Sequence, residues 1–184
     1  TGKLAKTKPH LSFNEIENDR ANKFLSEIGF NKGDKFVCYL VRDSKYLSQI
    51  DPTGFSYHDY RDSDIDTYNE SALYLAEKGY WVIRMGKVVD KSFPADHPLI
   101  LDYANSPYRS DFLDIWLMAH CYFCVTTGTG IDEVCGAFRR PIVEVNYLPI
   151  GGNRCNQTLC VDLYKHLRWK TNGKFLSLND QIKT

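Results

Sequence analysis

The chain has 184 residues, of which 43% are hydrophobic and 25% are charged, which excludes wholesale disorder and leaves room for one α/β domain. Lys and Arg number 23, as do Asp and Glu, so the zero net charge argues against a nucleic-acid partner. No apolar run approaches the roughly 18 residues that a membrane span needs, so no such span is predicted.

The chain opens with a predicted helix and a buried strand. Ser12 followed by Glu15 has the spacing of a capping box, and Gly29 is a typical residue to end the helix that follows. Residues 36–41 are apolar in succession, which predicts a strand buried on both faces, as parallel sheets require. The polar and aromatic stretch 43–63 reads as a long loop.

The middle of the chain repeats the same alternation. Asp64 or Asp66 is placed to cap a helix that Gly79 ends, and residues 80–85 form the second predicted strand. Residues 99–101 form a short third strand. This pattern of strand, helix and strand is typical of right-handed parallel crossovers.

The next segment contains two further strands. Ser110 caps a predicted helix, residues 121–125 form the fourth strand, and the turn 126–130 leads into a helix over 131–138. The fifth strand covers 142–145.

The prediction is therefore an α/β fold, with a doubly wound, mostly parallel, Rossmann-like sheet of about five strands and helices on both faces. The whole chain, residues 1–184, is read as one domain. Its core is expected at 11–150 and a C-terminal extension at 151–184, where 161–169 fits either a helix or a strand.

Ligands of such sheets bind outside the carboxyl ends of the strands. The residues that follow the predicted strands are therefore the first site candidates: Arg42, Asp43, Arg84, Gly86, Asp102, Thr127, Gly128, Thr129, Gly130 and Asn146. Together they suggest an anion pocket, in which Arg42 and Arg84 hold a diphosphate from one side and the amides of the turn hold it from the other.

Each of these features also has an ordinary explanation. A glycine turn before a helix is common in βα units, and this one is neither a P-loop nor a dinucleotide fingerprint. Arg42 beside Asp43 fits a surface ion pair, and Arg84 fits a salt bridge at the rim. It is the convergence of two arginines on one turn that favours phosphate binding.

The predicted loop and the last helix add further candidates. His58 is a candidate general base, as is Asp43, although a solvated loop histidine explains it equally well. Arg61 and Glu133 join the predicted substrate-binding residues, although Glu133 also suits a helix N-terminus. The run Asp62-Ser-Asp64-Ile-Asp66 resembles a metal-holding DxD motif, but acids before a helix are ordinary caps, and no metal or other cofactor is predicted.

The six cysteines allow three interpretations. Cys121 and Cys124 have zinc-ligand spacing, with Cys155 and Cys160 further along, and a disulfide framework is a second option. However, Cys121-Tyr-Phe-Cys124 lies in an apolar run without the turn residues of a metal knuckle. Thiols that act as small buried hydrophobes in a reducing cytoplasm fit best.

Several stretches, taken together, resemble a family of bacterial glycosyltransferases found with surface-polysaccharide biosynthesis genes. The resemblance covers about residues 12–150, which is most of the chain. The matching stretches are Val41-Arg-Asp-Ser-Lys-Tyr-Leu47, His58-Asp-Tyr-Arg-Asp-Ser-Asp-Ile-Asp-Thr-Tyr68, Gly79-Tyr-Trp-Val-Ile-Arg-Met-Gly86, Asp102-Tyr-Ala104, Phe112-Leu-Asp-Ile115, the turn 126–130 and Pro141-Ile-Val-Glu-Val-Asn-Tyr147. More distantly, the chain is similar to the donor-binding half of GT-B transferases.

The resemblance implies transfer of a sugar from a nucleoside-diphosphate sugar to a glycan or lipid-linked acceptor, without a metal. Arg42 and Arg84 would take the diphosphate, Thr127, Gly128 and Thr129 would bind phosphate or nucleotide, and Asn146 would line the site. Such enzymes also have an acceptor domain, which 184 residues cannot contain. An N-terminal acceptor domain is therefore an expected partner, and the expected location is the cytoplasm, including the face of the inner membrane.

Two other functions compete with this one. A non-catalytic module that binds a nucleotide or a sugar phosphate would share the pocket without turnover. A small hydrolase would need a nucleophile and a base at the strand ends, but the sequence has no GxSxG elbow, and Thr127 has no evident partner.

Overall fold

The structure is a computed structural model that describes residues 6–52, 54–148 and 159–183. Its helices are α1 (Glu15–Glu27), α2 (Lys45–Ile50), α3 (Asn69–Glu77), α4 (Asp111–His120), α5 (Glu133–Ala137) and α6 (Leu178–Lys183). Its strands are β1 (Lys35–Leu40), β2 (Tyr80–Arg84), β3 (Ile100–Leu101), β4 (Phe123–Thr126), β5 (Ile142–Tyr147) and β6 (Cys160–Tyr164).

The six strands form one parallel sheet in the order β3-β2-β1-β4-β5-β6. This confirms the predicted α/β fold and adds a strand, because β6 pairs with β5. The sixth strand comes from the segment that the sequence suggested was an extension. The strand order reverses between β1 and β4, which is where open α/β sheets form a crevice for ligands.

The first helix begins two residues later than the sequence suggested. Asn14, and not Ser12, is the N-cap: its side chain accepts a hydrogen bond from the Glu17 amide, and the Glu17 carboxylate accepts one from the Asn14 amide. The ring of Phe13 stacks on Phe138, with ring centroids 5.5 Å apart. Phe13, the residue before the N-cap, therefore packs against Phe138 rather than continuing the helix.

The predicted loop after β1 contains regular structure. Helix α2 lies within it and has no buried residues, and a 3₁₀ helix follows at Ser56–Arg61. Asp64 does not cap α3; it caps a second 3₁₀ helix, Ile65–Tyr68, by accepting from the Asp66 amide. The expectation of a helix capped directly by Asp64 or Asp66 is corrected accordingly.

The sheet has a hydrophobic cluster on each face. Because side chains alternate along a strand, β1 supplies Phe36, Cys38 and Leu40 to one cluster and Val37 and Tyr39 to the other. The first cluster lies beneath α1 and α4, and the second beneath α3. The central strand is thus buried on both sides, as its apolar run predicted.

Four of the cysteines, Cys38, Cys121, Cys124 and Cys135, are buried, and Cys160 is half-buried. None of these five forms a disulfide. Burial is the main cause that raises the pKa of the Cys38 thiol to about 11. Cys155, which the zinc interpretation needed, lies outside the described residues.

Candidate functional site

A cavity of about 550 Å³ lies at the carboxyl ends of β1, β2 and β4 and is closed on one side by the start of α4. This volume is typical of a small-molecule site. Six of the residues predicted from the sequence line it: Arg42, Asp43, Arg61, Gly86, Thr129 and Gly130.

Two arginines at the cavity have hydrogen-bond donors to spare. Arg42 donates from Nε to Asp62 Oδ1 at 2.9 Å, while its buried Nη2 atom has no partner among the described residues. Arg61 donates from Nη2 to the Gly128 carbonyl at 2.6 Å. Because that acceptor is an uncharged carbonyl, this hydrogen bond does not neutralise the Arg61 charge.

The carboxylate that pairs with Arg42 is itself perturbed. Burial raises the pKa of Asp62, and this effect outweighs the lowering caused by its hydrogen bond and ion pair with Arg42. The nearby carboxylates of Asp59 and Asp43 raise it further.

The turn after β4 is held by hydrogen bonds within the protein. The amide of Thr127 donates to Leu40 O at 3.2 Å, that of Gly128 to Thr126 Oγ1 at 3.1 Å, and that of Thr129 to Asp132 Oδ2 at 2.7 Å. These three amides, which the sequence suggested as phosphate donors, are thus occupied. The donor that this turn leaves available is the Thr129 hydroxyl, whose buried oxygen has no partner among the described residues.

The buried side chain of Asp132 organises this turn. Its Oδ2 atom accepts from the Thr126 hydroxyl and from the Thr129 amide, both at 2.7 Å. The Thr127 hydroxyl accepts from the Arg42 amide at 2.9 Å, which joins the turn to the end of β1. The turn is therefore a rigid wall of the cavity.

The structure separates Arg84 from the cavity. Its side chain is only 1% exposed, and it donates from Nη1 to Asp102 Oδ1 at 3.0 Å and from Nη2 to Lys91 O at 3.2 Å. Asp102 also accepts from the Phe93 amide and from Asn105. The predicted diphosphate clamp of Arg42 and Arg84 is corrected: Arg84 and Asp102 form an internal pair that holds the segment after β2.

Two further predicted residues also lie away from the cavity lining. Asn146 donates from its side-chain amide to Ser63 Oγ at 3.1 Å and to Tyr68 OH at 3.3 Å, so it ties β5 to the segment before α3. Its φ of 56° accompanies a register shift between β5 and β6. Glu133 is exposed at the start of α5.

The glycines at the cavity are required by space and by backbone conformation. A Cβ on Gly86 would lie 2.5 Å from Val89 Cγ1, and a Cβ on Gly128 would lie 3.2 Å from the Tyr147 ring. Both residues have positive φ angles, 154° and 78°. A larger residue at either position would displace the segment that borders the cavity.

Of the two candidate bases, Asp43 is committed to hydrogen bonds within the protein, and the side chain of the other is not described. Asp43 lines the cavity, but its Oδ1 accepts from the Lys45 amide at 2.9 Å and its Oδ2 from the Asp90 amide at 3.0 Å. It therefore holds two segments together. The side chain of His58 lies outside the described residues, and only its position in the first 3₁₀ helix is defined.

Sequence reasoning missed the wall of the cavity formed by the start of α4. Arg109, Asp111 and Asp114 line it, and Arg109 Nη2 donates to both carboxylates. Asp114 is buried, although it lies in the first turns of a helix that borders the cavity. An arginine directly before a Ser-Asp helix start, with a second acid three residues on, was the available signal.

Two groups of acidic residues bear on metal binding. Lys91 Nζ lies 2.9 Å from Asp64 Oδ1 and 3.0 Å from Asp66 Oδ2, so the DxD carboxylates already share a cation of the protein. Within the described part of the chain, Glu144, Cys160 and Asp162 place ligand atoms within 4.8 Å of one another. None of these three residues lines the cavity.

Across the described ranges, no helix is both long and apolar enough to cross a membrane. No protein-family model matches the sequence, and no curated protein matches it.

Two solved structures share the fold. The glycosyl transferase family 9 protein from Veillonella parvula DSM 2008 aligns with a TM-score of 0.58 at 14% identity, over 84% of this chain and 42% of its own. The ADP-heptose LPS heptosyltransferase II of E. coli aligns with a TM-score of 0.54 at 16% identity, over 90% and 46%. The chain thus spans less than half the length of each, and at these identities the likeness concerns the fold.

Proposed function

We propose that this chain is the donor-binding domain of a glycosyltransferase, which takes a sugar from a nucleoside-diphosphate sugar for a surface glycan or a similar acceptor. The observation that carries the proposal is the cavity at the carboxyl ends of the strands, lined by Arg42 and Arg61 and by the hydroxyl-bearing Thr129. Its fold is that of two solved glycosyltransferases. A diphosphate is the substrate group that suits two guanidinium groups and a hydroxyl.

The proposed chemistry is stabilisation of the departing nucleoside diphosphate. As the bond between the sugar and the diphosphate breaks, negative charge accumulates on the diphosphate, and cations fixed beforehand lower the free energy of that transition state. Arg61 is suited to this role because the Gly128 carbonyl fixes its position without neutralising its charge. We propose that no metal is needed, since Arg42 and Arg61 supply the positive charge.

The acceptor side is proposed to lie in another domain. The chain matches less than half of each related structure, and Asp43 is committed to two backbone amides. The base that deprotonates the acceptor hydroxyl is therefore expected from the acceptor domain.

Titration calorimetry with ADP, GDP, UDP and CDP, each with and without EDTA, tests the proposal. We expect at least one of them to bind the unaltered protein equally in both conditions. Arg61→Gln should weaken that binding about tenfold to a hundredfold, the range for loss of a charged hydrogen bond. Lys23→Gln, on the exposed surface of α1, also removes one positive charge; it is the control and should leave the affinity unchanged.

Two results would contradict the proposal. Binding of none of the four nucleotides would exclude a nucleotide donor, and equal affinity in Arg61→Gln would remove the proposed phosphate contact. A transfer assay with the complete polypeptide then separates a transferase from a binding module, because a module binds the nucleotide sugar without releasing nucleoside diphosphate.

A further inference from the structure

The start of α4 forms a wall of the cavity that the diphosphate proposal leaves unused. This wall, defined by Arg109, Asp111 and Asp114, is built on a buried support. Asp114 is 6% exposed and accepts from the Tyr103 hydroxyl at 3.0 Å, and that hydroxyl accepts from the Ser110 amide at 2.9 Å. The hydrogen bond from Tyr103 thus holds the Asp114 carboxylate in place, and that carboxylate in turn holds the guanidinium group of Arg109.

The charges of the α4 wall balance. Arg109 Nη2 donates to both Asp111 and Asp114, and Lys87 Nζ lies 3.4 Å from Asp111 Oδ1. Two cations therefore face two carboxylates. A further phosphate or carboxylate would meet Asp111 and Asp114 at close range, so this wall is unsuited to a second anion.

The wall nevertheless has donors and acceptors left over. The buried Nε atom of Arg109 has no partner among the described residues. The Asp111 side chain is 75% exposed, so its carboxylate has lone pairs open to a ligand. A guanidinium beside a carboxylate complements two neighbouring hydroxyl groups, because each hydroxyl both donates and accepts.

We propose that the α4 wall binds a vicinal diol of the substrate, with Asp111 accepting from one hydroxyl and Arg109 donating to the other. The inference rests on the proposed function, whose donor contains two such diols, one in the ribose and one in the sugar. The diphosphate lies toward Arg42 and Arg61, and the diol lies against α4.

The experiment compares ADP, GDP, UDP and CDP with their 2′-deoxy counterparts by calorimetry, in the unaltered protein and in Asp111→Asn. If the diol is that of the ribose, we expect Asp111 to accept from the 2′ hydroxyl and Arg109 to donate to the 3′ hydroxyl. Asp111→Asn then weakens binding of the ribonucleotide about tenfold and leaves the 2′-deoxy affinity nearly unchanged. Asp19→Asn, which is exposed on α1, is the matched control. Thermal melting of both variants verifies that they fold.

A second arm uses the glucose derivatives of the same four nucleotides. If the diol is that of the sugar, Asp111→Asn weakens the nucleoside-diphosphate glucose about tenfold and does not change the affinity for the nucleoside diphosphate alone. Arg109→Lys, which keeps a cation beside Asp114, should weaken the diol-bearing ligand about tenfold as well. In the ribose arm its loss extends to the 2′-deoxy counterpart, because that ligand retains the 3′ hydroxyl that Arg109 binds.

Unchanged affinity of Asp111→Asn and Arg109→Lys for every ligand that the unaltered protein binds would overturn the diol inference and leave the proposed function standing. Equal weakening of ribonucleotides and 2′-deoxynucleotides by Asp111→Asn, with no further loss for the glucose derivatives, would also overturn it. Failure of the unaltered protein to bind any of the nucleotides would contradict the proposed function, and the diol inference with it.

Discussion

The contrast between Arg42 and Arg84 depends on strand register. In the sheet, Arg84 is the register partner of Tyr39, and partners in parallel strands point to the same face. Tyr39 belongs to the hydrophobic cluster beneath α3, whereas its neighbour Leu40 lines the cavity. Arg84 is therefore directed to the α3 face, whereas its neighbour Met85, like Leu40, belongs to the cluster on the other face and lines the cavity.

Replacing Arg84 should unfold the protein more readily rather than only impair binding. Removing one partner of a buried ion pair leaves the other charge uncompensated, so Arg84→Met should lower the free energy of unfolding by about 3–5 kcal/mol. The double substitution Arg84→Met with Asp102→Leu removes both charges and should be less destabilising than the single one. Urea denaturation measures both losses.

Lys23→Met is the control, because this lysine is exposed on α1 and its loss should change the stability by less than about 0.5 kcal/mol. A loss of less than about 1 kcal/mol in Arg84→Met, together with abolished nucleotide binding, would return Arg84 to the substrate site.

The sequence was informative about which residues lie near the strand ends, but it did not show the register in which the strands pair. It predicted Arg42, Arg61, Gly86, Thr129 and Gly130, all of which line the cavity. Arg109 was missed because it follows no long strand and reaches the cavity only through the packing of α4. A single-residue shift in register exchanges the two faces of a strand, and pairing across the sheet determines that shift.

Among the elements, the turn between β4 and α5 combines regular caps with an internal anchor. The sequence indicated that glycine and threonine residues lie there, but not that their amides are satisfied by Leu40, Thr126 and Asp132. Such hydrogen bonds depend on where a side chain folds back onto its own loop. This is why a phosphate cradle and a self-contained turn look alike in sequence.

Asp132→Ala should loosen this turn. It removes the acceptor for the buried Thr126 hydroxyl and the Thr129 amide, so the free energy of unfolding should fall by about 2–4 kcal/mol. Because Thr129 and Gly130 line the cavity, the affinity for a nucleoside diphosphate should fall as well. Denaturation and calorimetry on the same preparation measure both effects.

Asp132→Asn provides the comparison, because its amide oxygen retains one acceptor and should preserve more than half of the lost stability. If Asp132→Ala were as stable as the unaltered protein, the hydrogen bonds of Asp132 would not be what holds the turn.

In the whole molecule, alternation of strands and helices predicted the parallel sheet, and the sixth strand escaped prediction for a physical reason. β6 lies at the edge of the sheet, where Val161 and Leu163 are 55% and 52% exposed, and Asp162 interrupts its apolar residues, so it lacks the continuous apolar run of a central strand. Short edge strands of this kind are hard to distinguish from an amphipathic helix. The central strands carry the continuous apolar runs on which the prediction rested.

The two faces of the sheet should unfold together, because β1 is shared by both hydrophobic clusters. Val37 is fully buried beneath α3, whereas Trp81 and Trp116 belong to the cluster on the other face. Val37→Ala should cost about 2 kcal/mol of stability through lost burial and the cavity that remains. The measurement is urea unfolding followed by tryptophan fluorescence and by far-ultraviolet circular dichroism.

If the molecule is one cooperative unit, Val37→Ala shifts the fluorescence and dichroism transitions to lower urea by the same amount. It does so although Val37 lies in one cluster and both Trp81 and Trp116 lie in the other. Leu117→Ala, buried on the tryptophan face, is the matched control and should shift the two probes equally as well. A fluorescence transition that stays in place in Val37→Ala while the dichroism transition moves would mean that the faces unfold separately. The central strand would then not couple the cavity side of the sheet to the side that contains the Arg84–Asp102 pair.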